Sequence, residues 1–299
     1  MTKPFDPFAV FGQDNVATED ELFDAFTADA CVPEELPRRH HNLSSIATLY
    51  WAENGGPIRT IVDGRQTRPT GWFPTIKAGF RSMPWDSLLE VNVMQLADLS
   101  SRVSYLLAQP HRLEIEVRKN RGKPLIYFPD LLLRVHPSFL RDLQSGVSFS
   151  DACLVPITSS VSEYDLETLI IEVKADKDAR DSDEKYRHKL ELAGEVYGRR
   201  NFHFLELRKS DHLLPKILRM VRLIDWRKKV AGDIHDDLVW LDVFGGRTEA
   251  RRWQLERALG GRIVGRAKLH GLHYRGLLSI DFRNGIADDA AVYLLHKGD

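Results

Sequence analysis

The chain has 299 residues, 43% hydrophobic and 28% charged, with 42 Lys and Arg against 43 Asp and Glu. That balance points to a soluble globular protein of about two domains rather than a disordered, fibrous or membrane-spanning one. At a formal net charge of -1, any attraction to nucleic acid must come from uneven placement of charge. Cys31 and Cys153 are too few and too far apart for a disulfide framework or a cysteine zinc site, so a reducing, cytoplasmic setting is expected.

Residues 1–37 carry nine acidic groups against Lys3 alone and read as an acidic N-terminal arm, with a short amphipathic helix at 19–30. The start lacks the basic end and apolar core of a signal peptide, and no apolar run approaches the roughly 20 residues that span a bilayer. Residues 38–81 reverse the sign, with seven basic groups against Glu53 and Asp63. A strand-like Ile58–Val62 there precedes the turn-rich TRPTGWFPTIKAGF.

After Pro84, Leu89, Val93 and Leu96 at core spacing predict a helix to about Leu99, with Asp86 or Ser87 as its N-cap. Strand-like runs follow at 103–107, 112–118 and 125–135, with KNRG at 119–122 as a hairpin turn. Residues 136–165 read as a long irregular insertion. Then 167–175 is expected as a buried strand, 183–199 as a helix with Tyr186, Leu190, Ala193 and Tyr197 on one face, and 201–207 as a strand. Strand, helix, strand with short links implies a right-handed parallel crossover. Beyond 209, helical stretches at 211–229 and 247–259 lead to strand-like 276–282 and 290–295, the pattern of a small winged-helix-like module.

Chemistry concentrates in three places: Glu90 on the helix, Asp130 after Pro129, and Glu172 with Lys174 on one buried strand. Alternation along a strand puts Glu172 and Lys174 on one face and turns Ile171 and Val173 to the core. Pro129 suits a central ladder poorly, so a bulge or edge there would aim Asp130 out of the sheet. Glu90 shares its stripe with Val93, Met94 and Ala97, where a lone carboxylate is costly, so it needs a partner. Three converging carboxylates form a hard oxygen site suited to Mg²⁺ or Mn²⁺, and an adjacent Lys can orient a water. The bland alternative is a Glu172–Lys174 salt bridge, a turn Asp and a solvated helical Glu.

The order helix-Glu, Pro-Asp, Glu-x-Lys on a buried strand, then helix, resembles the nuclease core of the PD-(D/E)XK superfamily. It is more specifically similar to the TnsA-type transposon endonucleases, on TGWFPTIKAGF at 70–80, DSLLE at 86–90, AQP at 108–110, YFPDLLL at 127–133, LIIEVKAD at 169–176 and KLELA at 189–193. The resemblance covers about residues 60–210 and is looser beyond.

It implies an α/β fold, a restriction-endonuclease-like mixed sheet flanked by helices over 38–208, then a winged-helix-like α+β domain over 209–299. It implies that Glu90, Asp130 and Glu172 hold Mg²⁺, for which Mn²⁺ substitutes, and that Lys174 completes catalysis. Some family members carry Gln at the position of Glu172. The implied activity is DNA endonuclease cleavage of the non-transferred 5′ strand at transposon ends. The implied partners are a DDE transposase (TnsB-like) and an AAA+ ATPase regulator (TnsC-like), the latter contacting the C-terminal region. Two alternatives stand beside this: a stand-alone restriction or repair nuclease, and a non-catalytic adaptor joining DNA to the ATPase.

Lys77, Arg81, Lys177, Lys185 and Lys189 are candidate DNA contacts, each equally readable as a solvated charge. The C-terminal region carries a further basic cluster, Arg247, Arg251, Arg252, Arg257, Arg262, Arg266 and Lys268. The 11 His show no zinc spacing, and Gly245–Gly246 and Gly260–Gly261 lack the Lys of a Walker A loop. All four site residues precede 209, so the chemistry is expected within 1–208 and partner or DNA contact beyond.

Overall fold

The computed structural model describes residues 45–59, 69–117, 124–158, 162, 165–232 and 234–295. The acidic arm with its 19–30 helix, the 119–122 turn and Thr60–Val62 lie outside the described residues; Ile58 and Arg59 are irregular. The described chain is mixed α/β, several small sheets flanked by helices.

The central sheet has four strands, β4 (Val103–Ala108), β7 (Leu131–Val135), β8 (Glu167–Lys174) and β9 (Phe202–Arg208), in that order. β7 runs antiparallel to β4 and β8, while β8 and β9 are parallel and joined by the helix α4 (Glu184–Arg199) as the expected crossover. A three-stranded antiparallel sheet sets β5 (His111–Val117) between β1 (Ser45–Trp51) and β6 (Leu125–Tyr127). β2 (Gly71–Pro74) and β3 (Ser82–Trp85) form a hairpin from the region read as turns.

The run expected as one strand at 125–135 is two. β6 ends at Tyr127 in one sheet and β7 begins at Leu131 in the other, so Phe128–Pro129–Asp130 is the passage between sheets. Proline has no N–H for a ladder, which is why the break falls there.

The helix α1 (Leu88–Leu99) forms as expected with Ser87 as its N-cap, and it buries Val93, Met94, Leu96 and Ala97. The insertion at 136–165 is corrected to two short helices, α2 (Pro137–Gln144) and α3 (Phe149–Leu154). Each starts at a cap: His136 accepts from the Ser138 N–H ahead of Pro137 at the first turn, and Ser148 Oγ accepts from the Asp151 N–H. Phe139 and Phe149 pack edge to face in the core, and buried Arg102 pins both helices through Asp142 at 2.8 Å and the Ala152 carbonyl at 2.6 Å. Their length, under nine residues each, hides them from a periodicity reading.

Beyond β9 come α5 (Lys209–His212), α6 (Pro215–Ile224), a 3-10 turn at Asp225–Lys229, α7 (Ile234–Phe244), β10 (Glu249–Arg251), α8 (Arg252–Ala258), α9 (Gly261–Tyr274), β11 (Leu278–Ile280) and β12 (Ala291–Leu294). The terminal hairpin is a three-stranded antiparallel sheet with β12 in its centre, and the helix expected at 247–259 begins as a strand. α7 and α9 were not expected. Three glycines weaken α9 as a helix on propensity alone. Two of them serve close packing: a Cβ at Gly265 would lie 1.9 Å from the Glu256 carbonyl, and one at Gly271 2.2 Å from that of Val230.

This C-terminal part grips α1. Lys228 Nζ pairs with Asp98 at 3.1 Å with both side chains buried, His273 Nε2 donates to the Leu99 carbonyl at 2.7 Å, and Arg222 donates to Asn92 at 2.8 Å. Among the described residues no helix is long and apolar enough to cross a membrane.

Candidate active site

The first turn of α1 sets Glu90. Ser87 Oγ accepts from the Glu90 N–H at 3.2 Å, and the carboxylate reaches back to take the Ser87 hydroxyl at 2.9 Å and the Asp86 N–H at 3.0 Å. This is a capping box shifted by one residue, at the end of the helix where negative charge is favoured. The partner that Glu90 needs is therefore its own N-cap turn, and the side chain is buried rather than solvated.

Asp130 follows the Pro129 break. Its N–H continues the ladder to the Ile171 carbonyl at 3.2 Å, and its Oδ2 accepts from the Val173 N–H at 2.7 Å. The carboxylate thus replaces a backbone acceptor just ahead of the start of β7. The preceding turn is fixed by Gln109, whose N–H donates to the Asp130 carbonyl at 2.8 Å from a left-handed conformation, φ 47°.

Residues 168–174 of β8 are all buried, so both faces of this strand are covered, Glu172 and Lys174 included. Tyr127 donates to Glu172 Oε2 at 2.7 Å and Tyr186 donates to Oε1 at 2.5 Å. Both phenols titrate well above their ordinary range, chiefly from burial and next from the Glu172 charge, and so remain donors. Lys174 pairs not with Glu172 but across to β9, with Glu206 at 2.6 Å, and with Asp181 at 3.5 Å. The strand register places Glu206 opposite Glu172 and Arg208 opposite Lys174.

Electrostatics join the three carboxylates. Asp130 holds its proton well above the usual carboxylate range, first because it is desolvated, then because Glu172 and Glu90 repel its charge. The Val173 N–H and the Arg180 guanidinium oppose that rise. Arg180 lies in the 3-10 turn after β8, with Nη1 3.8 Å from Glu172 Oε1.

Among the described residues, no three His, Cys, Asp or Glu side chains close on one point in a ready-made ion cage. The donors are nonetheless hard carboxylate oxygens whose mutual repulsion a divalent cation relieves, and each oxygen bound by one N–H or O–H keeps a further lone pair. Glu90, Asp130 and Glu172 fit such an ion by chemistry.

The basic candidates divide. Lys77 is not a solvent-facing base: its Nζ donates to the Ala97 carbonyl at 2.8 Å and to that of Ser100, capping the C-terminus of α1. Burial pulls its pKa down to about 8 against the opposing charge of Asp98. Arg81 donates to the Asn54 carbonyl at 3.1 Å. Lys177 and Lys185 are exposed beyond the site strand. Lys189 is the one at the site, with its ammonium over the rings of Tyr127 and Tyr186 at 5.9 and 5.3 Å. In the C-terminal basic cluster, Arg252 is fully buried on Glu256 at 2.7 Å and Arg266 pairs with Glu256 and Asp288, each at 2.8 Å. Those two arginines serve an internal network.

Sequence reasoning missed Tyr127, Arg180, Glu206 and the role of Tyr186. Tyr127 stood two residues ahead of Pro-Asp and Tyr186 on the buried face of α4, which signalled core; nothing marked Arg180 or Glu206. No protein-family model and no curated protein matches the chain.

Proposed function

We propose that this chain is a metal-dependent DNA endonuclease with a restriction-endonuclease-like core of the PD-(D/E)XK type. By its motif resemblance, it is the TnsA-type subunit that cuts the non-transferred strand at transposon ends. On this reading it acts with a DDE transposase and an AAA+ regulator, and its C-terminal part is the winged-helix-like contact module. The observation that supports the nuclease reading is the 2.7 Å hydrogen bond from the Val173 amide to Asp130 Oδ2, which ties the Pro-Asp carboxyl to the strand of Glu172 and Lys174.

Glu90, Asp130 and Glu172 would hold Mg²⁺ or Mn²⁺, which supplies Lewis-acid polarisation of the scissile phosphate. The chain's own part is orientation. Tyr127 and Tyr186 fix the plane of the Glu172 carboxylate, and the Val173 amide fixes that of Asp130. Lys174, on the same strand face as Glu172, orients the attacking water and faces the charge that develops on the phosphate. To do so its ammonium leaves Glu206, a side chain about two-fifths exposed.

That ion pair also favours one rival, a non-catalytic adaptor in which Lys174 stays locked on Glu206. One experiment separates them: nicking of end-bearing DNA in Mg²⁺ or Mn²⁺ by the full chain with its partner transposase, and by Asp130→Ala and Lys174→Ala. Cleavage lost in both variants supports the nuclease; no cleavage by wild type beside a competent partner supports the adaptor. Cleavage without any partner supports the stand-alone nuclease.

A further inference from the structure

We infer that Arg180 is a pre-positioned contact for the scissile phosphodiester, an inference that rests on the nuclease reading. A phosphate approaching Glu90, Asp130 and Glu172 meets a cluster of carboxyl groups, and a side-chain cation beside them lowers the cost of that approach. Arg180 stands beside Glu172 of that cluster. It is 54% exposed, and its Nη1 lies 3.8 Å from Glu172 Oε1, beyond hydrogen-bond distance.

The rest of the guanidinium is already fixed. Nε lies 3.1 Å from both carboxylate oxygens of Asp178 and Nη2 donates to Oδ2 at 2.6 Å, a fork-on-fork pair. That pair holds the Asp178 carboxyl down at about 2. The guanidinium carbon also sits 4.8 Å over the Tyr186 ring, whose hydroxyl holds Glu172. Asp178 and Tyr186 therefore use the Nε–Nη2 edge and one face, and leave Nη1 beside Glu172, 3.8 Å from its Oε1. Holding the side chain beforehand removes much of the ordering that a flexible cation loses on binding. Lys189 approaches the same ring from its ammonium at 5.3 Å, but its Nζ is turned toward the Ile126 carbonyl at 3.4 Å.

The test uses the full chain and its Arg180→Ala, Arg180→Lys and Asp178→Asn variants, each checked for an unchanged melting transition. Duplex DNA binding is measured by anisotropy across a salt series, both in EDTA and in Ca²⁺; Mn²⁺ binding is measured separately by calorimetry. Arg180→Ala should weaken DNA binding in Ca²⁺ about tenfold. It should also reduce the slope of log K against log salt by about 0.9, one phosphate contact. Mn²⁺ affinity should stay within about twofold of wild type, because the group contacts phosphate rather than the ion. Arg180→Lys should recover the slope but not the full affinity, and Asp178→Asn should fall between.

Wild-type DNA affinity and slope in Arg180→Ala would overturn the inference, as would loss of Mn²⁺ binding in that variant, which would make Arg180 a prop for Glu172. A wild-type chain that binds DNA but no Mn²⁺ overturns the nuclease reading, and the salt slope in EDTA then decides Arg180. A wild-type chain that binds no DNA overturns both.

Discussion

The Val173 amide donates to Asp130 Oδ2 at 2.7 Å, so the carboxylate after Pro129 is stitched to the strand that carries Glu172 and Lys174. One hydrogen bond brings two separate motifs together. It also explains why Asp130 tolerates its crowded position, since this N–H is the main local influence opposing the repulsion of Glu172 and Glu90.

Replacing Asp130 by Asn should abolish cleavage while leaving stability equal or higher. The side chain keeps an oxygen for Val173 and loses the crowded charge. Because the folded-state pKa is raised, the folded chain binds more protons than the unfolded one between the ordinary carboxylate value and the raised value. Stability therefore falls as pH rises through that window, and Asn removes the slope. Denaturant unfolding from pH 4 to 8 checks this; a steeper fall in the variant contradicts it.

Lys174→Ala should lose cleavage yet keep divalent-metal binding, since the ammonium acts on water and phosphate. Mn²⁺ calorimetry on this variant checks the division of roles. Loss of Mn²⁺ binding as complete as for an Asp130 variant would sink it.

Much of this was legible from sequence. α1 and α4 each carry a helical period and an N-cap, and β8 and β9 read as short apolar runs on either side of α4, so the elements holding Glu90, Glu172 and Lys174 were read nearly to the residue. At Pro129 a bulge or edge was legible, because a missing N–H is a local fact, but the split of 125–135 into strands of two different sheets was not. What was not legible depends on tertiary partners. Lys77 reads as a surface base until α1 is seen to end against it, and α9, with three glycines, gives no helix signal until the Glu256 and Val230 carbonyls are seen against two of them. The tyrosyl clamp on Glu172 joins residues 45 and 14 positions apart, which no local pattern encodes.

A boundary at 208 cuts through the Lys228–Asp98 pair, both side chains nearly inaccessible. Residues 1–208 alone should therefore not fold cooperatively, contrary to what the clustering of site residues before 209 suggests. Lys228→Met breaks the buried ion pair of Asp98, which keeps only the Thr75 hydroxyl at 2.5 Å and the nearby Lys77 charge, and should cost about 3 kcal/mol, measurable by urea unfolding. A fragment 1–208 with a sharp melting transition would contradict this.

His111 is fully buried, with Nε2 2.7 Å from the Tyr197 hydroxyl, and burial, aided by Arg200, presses its pKa down to about 3. The folded chain keeps it neutral while the unfolded chain protonates near 6.5. Stability is thus lost as pH falls from about 6.5 toward 3, a window in which the unfolded state binds more protons. His111→Phe should flatten that part of the stability curve whatever it does at pH 7; an unchanged slope would contradict the assignment.

The central claim is a divalent-metal site on Glu90, Asp130 and Glu172, and Mn²⁺ calorimetry on the full-length wild type beside Asp130→Asn tests it most directly. Saturable binding by wild type that Asp130→Asn weakens at least about tenfold is the predicted result. Equal Mn²⁺ binding by both chains, or none by wild type, would contradict it.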